Sequence, residues 1–304
     1  MNMTVKHTPL SIAVIAGRTA WQSFHKGGNY EKQTNNITEE DFNFLDKLFN
    51  KYKHLSVSEH IWFIVNIDVD FYVSQKIKEC NYSLISEKRD EIAFNLRTIY
   101  ELYDNCDECL EFFNNVLYKS HSLIWNLFFK EGYRLSKKEN NDFQKIENEY
   151  AELLYKLKSN NFNFRTFRIK NVSRALLQEF VRHDDLLGIT VKSTRYTLKE
   201  LKDEKEFELN EESFERAKKY IVPHPAILRT QIMHLEDLRK MIKNNNLSND
   251  IVKYILPECY KTEFIVTLPE RNYKNFLKLR DSKDALWEIQ RLAKAMKEID
   301  KGIK

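Results

Sequence analysis

With only 6 glycines and 5 prolines in 304 residues, the chain has no room for long flexible or polyproline linkers, and regular structure should dominate. It also lacks any uninterrupted apolar run near the about 18 residues that a membrane-spanning helix requires. Met1 to Leu10 is not followed by a hydrophobic block of signal-peptide length, and Ser11 to Ala16 is too short to be one, so the expected location is cytoplasmic. A surplus of one charge is missing as well. The 49 basic and 45 acidic residues leave a net charge of +4, too small and too dispersed to mark a nucleic-acid binder. A small anionic ligand suits that balance equally well. There is no G-x-G-x-x-G and no P-loop, so a bound dinucleotide would not be held by a Rossmann fingerprint.

Cysteine is scarce too: Cys80, Cys106, Cys109 and Cys259. Cys106-Asp107-Glu108-Cys109 is formally C-x-x-C, but it lies in a helical-looking run with no second pair at ligand spacing, so reduced thiols are expected rather than a metal or redox centre. His54, Glu59 and His60 do not form H-E-x-x-H and run into a strand, so no metal site is expected there.

What is present falls into zones. In residues 1 to 68, Thr38 can cap a helix with an acidic first turn (Glu39, Glu40, Asp41), followed by Phe42, Leu45, Leu48 and Phe49 at helical spacing. Ile61 to Ile67 is rich in β-branched and aromatic residues and reads as a strand. Residues 69 to 163 read as mostly helical. Leu96, Ile99, Leu102 and Tyr103 form one apolar stripe, and Ile146, Tyr150, Leu153, Leu154 and Leu157 another, with an exposed turn at Lys137 to Asp142 between them. In the last zone Phe164 to Ile169 alternates as a strand does. Ser173 can cap a helix running through His183, burying Leu176, Leu177, Phe180 and Val181, while Arg174, Gln178 and Arg182 line the opposite side. Ile189 to Tyr196 alternates, which would point Ser193 and Arg195 the same way if extended. Residues 210 to 245 read as amphipathic helix broken at Pro223-His224-Pro225. Phe264 to Leu268 reads as a strand, Glu270 to Arg280 as a helix, and the residues from about Asp284 as another.

Arg182, Arg195 and Arg280 all stand at element ends, and Arg195 adjoins the hydroxyls of Ser193 and Thr194. Guanidinium forks and short hydroxyls make a phosphate cradle. An arginine near a helix C-terminus also serves the helix dipole, so spacing alone leaves both readings open. Arg182-His183-Asp184 does not make a hydrolytic relay, because neighbouring side chains on a helix diverge by about 100°, and no serine or cysteine sits in a nucleophile-elbow context.

Several separated stretches, in order, resemble the flavin-dependent thymidylate synthases. Arg182-His183-Asp184, eight residues, then Ser193-Thr194-Arg195-Tyr196 matches that family's R-H-R and S-x-R signature. His54-Leu55-Ser56-Val57-Ser58-Glu59-His60 resembles its H-x-S/T-x-x-E-H segment. His7-Thr8-Pro9-Leu10 and Arg18 to Phe24 resemble its opening helix. Ile255-Leu256-Pro257-Glu258, Arg271 to Arg280 and Ala285 to Gln290 resemble its closing block. The resemblance implies an α/β (α+β) fold with a catalytic domain in residues 1–68 and 164–304 and a helical insertion at 69–163. It implies C5 methylation of dUMP, with methylenetetrahydrofolate as carbon donor and NADPH-reduced FAD as redox intermediary, in a homotetramer with shared active sites and no cysteine nucleophile. By position it places Glu179, Arg182, Ser193, Thr194, Arg195, Lys253 and Arg280 at dUMP, with Arg280 the catalytic residue that polarises the uracil ring. It places His54, Ser56, Arg182, His183, Asp184, Arg271 and Asn275 at FAD. Asp184 stands where the family carries arginine, Lys253 where arginine is usual, and Pro269 where asparagine is usual. These departures keep two alternatives in view: a homologue acting on another pyrimidine nucleotide, and a non-catalytic nucleotide-binding or assembly protein.

Overall fold

The computed structural model describes residues 3–26, 37–66, 70–80, 82–88, 90–133, 146–182, 188–194, 198–244 and 247–302. His183, Asp184, Arg195 and the turn expected at 137–142 lie outside these residues.

In chain order the elements are β1 (Thr4–His7), α1 (Leu10–Trp21), α2 (Glu39–Asp46), β2 (Trp62–Asn66), α3 (Phe71–Glu79), β3 (Ser83–Ile85), β4 (Glu91–Asn95), α4 (Leu96–Leu102), α5 (Asp107–Lys119) and α6 (Ser122–Phe129). Then follow β5 (Ile146–Glu147), β6 (Ala151–Lys158), β7 (Asn163–Ser173), α7 (Arg174–Val181), β8 (Ile189–Val191), α8 (Lys199–Lys202), α9 (Glu211–Ala217), α10 (Leu228–Asn244), α11 (Asn249–Val252), β9 (Lys261–Pro269), α12 (Glu270–Arg280) and α13 (Trp287–Lys301). Among the described residues no helix is long and apolar enough to cross a membrane.

Among the described residues the strands form two antiparallel sheets. One has the order β1-β2-β4-β3, the other β5-β6-β7-β9-β8. Residues 70–133 complete the first sheet, since β4 pairs along all of β2, and they share its core: Phe63, Phe94, Phe113 and Leu127 belong to one buried cluster with Leu10, Val14 and Phe49. Thr38 caps α2 as its sequence implies, accepting from the Asp41 N–H at 3.2 Å.

The Ile146 to Leu157 stripe, expected helical, is strand instead. A bulge between Leu153 and Tyr155 breaks the two-residue period, and the strand is buried on both faces. Leu153 therefore packs with Phe167, Leu154 with the α1 core and Leu157 with Trp62, which mimics helical spacing in the sequence. The extended reading of 189–196 also ends early. β8 stops at Val191, and Thr194 is already helical. The two closing helices match their expected spans closely, α12 running Glu270–Arg280 and α13 starting at Trp287.

β9 organises the second sheet. Phe264, Val266 and Leu268 face α7, α12 and α13, where they pack with Phe167, Phe180 and Phe276. Ile265 faces the opposite way, into the core under α1. That opposite face also carries polar residues: Glu152 lies opposite Arg168, Thr166 opposite Thr267, and Thr190 opposite Ile265.

α7 is fixed at its start by two bonds from Ser173 to Glu288. The Ser173 N–H donates at 2.7 Å and its Oγ at 2.5 Å, while the same Oγ accepts from the Leu176 N–H at 3.0 Å. Glu288 is 5% exposed, so its charge is stabilised by these donors rather than by water. Ser173→Ala removes both a helix cap and a donor to a buried carboxylate. The expected loss is about 2–3 kcal/mol, read as a lower urea midpoint with unchanged m-value; a loss under about 0.5 kcal/mol would contradict this account.

Candidate functional site

The clamp at Ser173 sets the direction of α7, and its apolar stripe sets the rotation. Leu176 and Phe180 are buried, which turns Glu179 and Arg182 toward the end of α12. There Glu179 holds two arginines. Its carboxylate lies 3.0 Å from Arg182 Nη1 and 3.4 Å from Arg280 Nη1, and its backbone carbonyl accepts from Arg280 Nη2 at 3.5 Å. Among the described residues, one carboxylate here faces two guanidiniums. Arg182 remains 71% exposed, and an exposed i,i+3 pair is worth little, so its guanidinium is free to swing onto a ligand. Arg280 is the more confined, at 21% exposed.

A second group lies on the polar face of the same sheet. The segment Leu55–His60 forms a short 3-10 helix, and His60 is fully buried beneath it. His60 Nδ1 is 2.9 Å from Thr267 Oγ1, and Nε2 is 3.0 Å from Thr190 Oγ1. Thr190 Oγ1 donates to the Ser56 carbonyl at 3.4 Å, and Thr166 and Thr267 share a hydroxyl contact of 3.0 Å. One set of protons satisfies the whole chain: Thr166 to Thr267 to Nδ1, then Nε2–H to Thr190 to the Ser56 carbonyl, an assignment made from the network. Burial lowers the His60 pKa to about 3, so the imidazole is neutral as this chain requires.

The same segment is tied from three other sides. Glu59 pairs with Arg97 of α4 and Arg97 with Glu101 at 2.7 Å. Burial pushes the Glu59 carboxyl up, and Arg97 opposes that shift. Gly188 passes so close that an added Cβ would stand 3.0 Å from the Glu59 carbonyl oxygen, tighter than an ordinary contact. The Ser193 N–H donates to the Ala20 carbonyl at 2.9 Å, which docks the start of the Ser193-Thr194 segment on the end of α1. His54 sits at the surface against Trp21 and Tyr52, with ring centroids 6.2 and 6.0 Å away.

The expected residues therefore gather in separate groups. Glu179, Arg182 and Arg280 meet on the α7–α12 side of the sheet. His54, Ser56 and Ser193 gather with α1 on the other, joined through Thr190 and Ala20; Ser193 and Thr194 are partly exposed. Arg271 and Asn275 are exposed one turn apart on α12, and Lys253 lies exposed with its ammonium 5.5 Å from the Tyr254 ring centre. Sequence reasoning missed Glu288, Thr190, Thr267 and Arg97 as the residues that hold these groups. Alternation in β8 and β9 shows Thr190 and Thr267 off the apolar face, but only strand pairing reveals that both point at one imidazole. Arg97 sits in the segment set aside as an insertion, where nothing local marks it.

Folding leaves His60 unable to take the proton that an unfolded histidine binds near pH 6.5. This contribution to stability is complete above pH 6.5 and is lost as the pH falls toward 3, by about 1.4 kcal/mol per unit. His60→Gln, whose amide supplies one donor and one acceptor, should flatten that part of the profile. Urea unfolding at pH 7.5 to 4.5 compares the two, and parallel profiles would refute it.

The family model Thy1, thymidylate synthase complementing protein, matches residues 101–303. A flavin-dependent thymidylate synthase from Wolinella succinogenes is 50% identical over 135 residues, which are 44% of this chain and 64% of that protein. Those from Campylobacter jejuni strain RM1221 and Helicobacter pylori strain 26695 are 47% and 43% identical over 133 and 136 residues, covering 43% and 44% of this chain and 62% and 65% of theirs. The chain thus matches less than two thirds of the length of these relatives. A solved flavin-dependent thymidylate synthase ThyX from Helicobacter pylori, complexed with FAD and dUMP, superimposes with a TM-score of 0.44 at 26% identity over 98% of this chain and 93% of that one, too loosely to support an inference. Because the family match takes in more than half of its 304 residues, the chain belongs to the thymidylate synthase complementing protein family.

Proposed function

We propose that this protein is a flavin-dependent thymidylate synthase that methylates dUMP at C5, with methylenetetrahydrofolate as carbon donor, FAD as cofactor and NADPH as reductant. The observation that carries the reading is the corner where Glu179 holds Arg182 and Arg280, joined to membership of the family. Relatives matched by sequence in the same family are flavin-dependent thymidylate synthases.

The residues present fit such ligands chemically. Arg182, exposed and loosely held, suits a phosphate that competes with Glu179 for its guanidinium. Arg280, oriented by the Glu179 carboxylate and carbonyl, suits a fixed positive charge beside the uracil ring, where it favours ionisation at N3. The hydroxyls of Ser193 and Thr194, with Arg195 and Lys253, would complete the hold on dUMP. His54, Ser56, His183, Arg271 and Asn275 would hold FAD, with Asp184 beside them in place of the usual arginine. Bound FAD would supply the hydride-transfer chemistry that no side chain can.

His54 and Ser56 lie across the sheet from Glu179 and Arg280. That separation supports sites shared between copies of the chain, in a homotetramer. The reading keeps residues 1–68 and 164–304 as the catalytic unit and 69–163 as an insertion that braces it through Arg97.

A purified protein that is yellow, bleaches with NADPH and reoxidises faster with dUMP and methylenetetrahydrofolate would support the enzyme. A colourless protein that binds neither FAD nor dUMP would sink it. Arg280→Ala should lower dTMP formation by about 100-fold or more while FAD stays bound; unchanged turnover would remove Arg280 from the chemistry.

A further inference from the structure

Lys192 stands between β8 and Ser193 and has no assigned role. Its backbone is held on both sides: its own N–H donates to the Glu263 carbonyl at 2.8 Å, and that of Ser193 to Ala20 at 2.9 Å. Alternation from Thr190 places its side chain on the polar face of the sheet, with Arg168 and Glu263. The residue is partly buried, and burial holds its ammonium below the ordinary lysine value, with Glu263 and Glu200 opposing that shift and Arg168 and Lys219 adding to it.

The ammonium makes no hydrogen bond or ion pair among the described residues, although two carboxylates are near. Both are engaged elsewhere: Glu263 pairs with Arg168, and Glu200 with Lys219 at 3.0 Å. A lysine that merely covered apolar surface with its methylenes would carry its charge out to water. A partly buried ammonium with no counter-charge among the described residues is costly unless a ligand supplies one.

We propose that Lys192 is a phosphate-binding residue of the nucleotide site, its ammonium taking a non-bridging oxygen of the 5′-phosphate of dUMP beside Ser193 and Thr194. This rests on the function proposed above for the choice of nucleotide, but not for the anion site itself. It also gives the chain a cation close to the signature in which Asp184 replaces the usual arginine.

The test compares wild type, Lys192→Met and Lys192→Arg, each checked for folding by circular dichroism. Binding of dUMP, deoxyuridine and FAD is titrated, and thermal shifts are read with inorganic phosphate against sodium chloride of equal ionic strength. Lys192→Met should weaken dUMP about tenfold and lose the phosphate-specific shift, with deoxyuridine and FAD unaffected, while Lys192→Arg stays close to wild type. Weakened FAD with unchanged dUMP would keep the phosphate site but make the flavin diphosphate its occupant. A wild type stabilised by phosphate through Lys192 that binds neither dUMP nor FAD would keep this inference and sink the thymidylate synthase reading. If Lys192→Met matches wild type with every probe, the inference is wrong. Should Lys192→Met fail to fold, reductive methylation of wild-type Lys192 decides: protection by phosphate supports the site, and equal labelling with and without phosphate overturns it.

Discussion

A buried imidazole must find both a donor and an acceptor or lose its place in the core, and His60 finds them on two different strands. Thr267 lies in the interior strand β9 and Thr190 in the edge strand β8, so one ring spans the pair and joins them to the Ser56 carbonyl. Much of the candidate flavin side hangs on this chain. It seats the 55–60 turn on the sheet, and with that turn come His54, Ser56 and the Glu59–Arg97 pair. Burial that would penalise a charged histidine is what keeps the ring neutral and the chain of bonds consistent.

The other face of the sheet obeys a different rule. There the packing is largely apolar, with Phe167, Phe180, Phe264 and Phe276 under α7 and α12, while Arg165 of β7 pairs with Glu270 and Asp300 at the helix ends. Glu288 fixes the start of α7 through Ser173, which leaves its far end, with Glu179 and Arg182, at a defined place against Arg280. The result is a rigid support under a loosely tethered arginine, the arrangement expected where a guanidinium must be free to meet an anion.

Much of this was legible in the chain. The Thr38 and Ser173 caps, the α12 span from Glu270 to Arg280 and the alternating strands around Phe167 and Val266 follow from local rules, because caps and periodicity are set by neighbours in sequence. The 146–157 stripe was not, since a bulge with burial on both faces gives a strand the spacing of a helix. Nor was the partnership of β2 with β4, which joins residues 62–66 to 91–95 and makes residues 70–133 part of the first sheet.

By itself the sequence determined the kinds of groups available and their likeness to a family: the Arg182 to Tyr196 signature, the His54 to His60 segment and the Arg271 to Arg280 block. Only the tertiary structure decided which of them meet. Glu179 reaches Arg280 across 101 positions and His60 reaches Thr267 across 207, and among the described residues Lys192 has no ion pair while its nearby carboxylates pair with other cations. The reason is physical: side-chain pairing and desolvation depend on which faces of which elements are brought together, and no local pattern carries that.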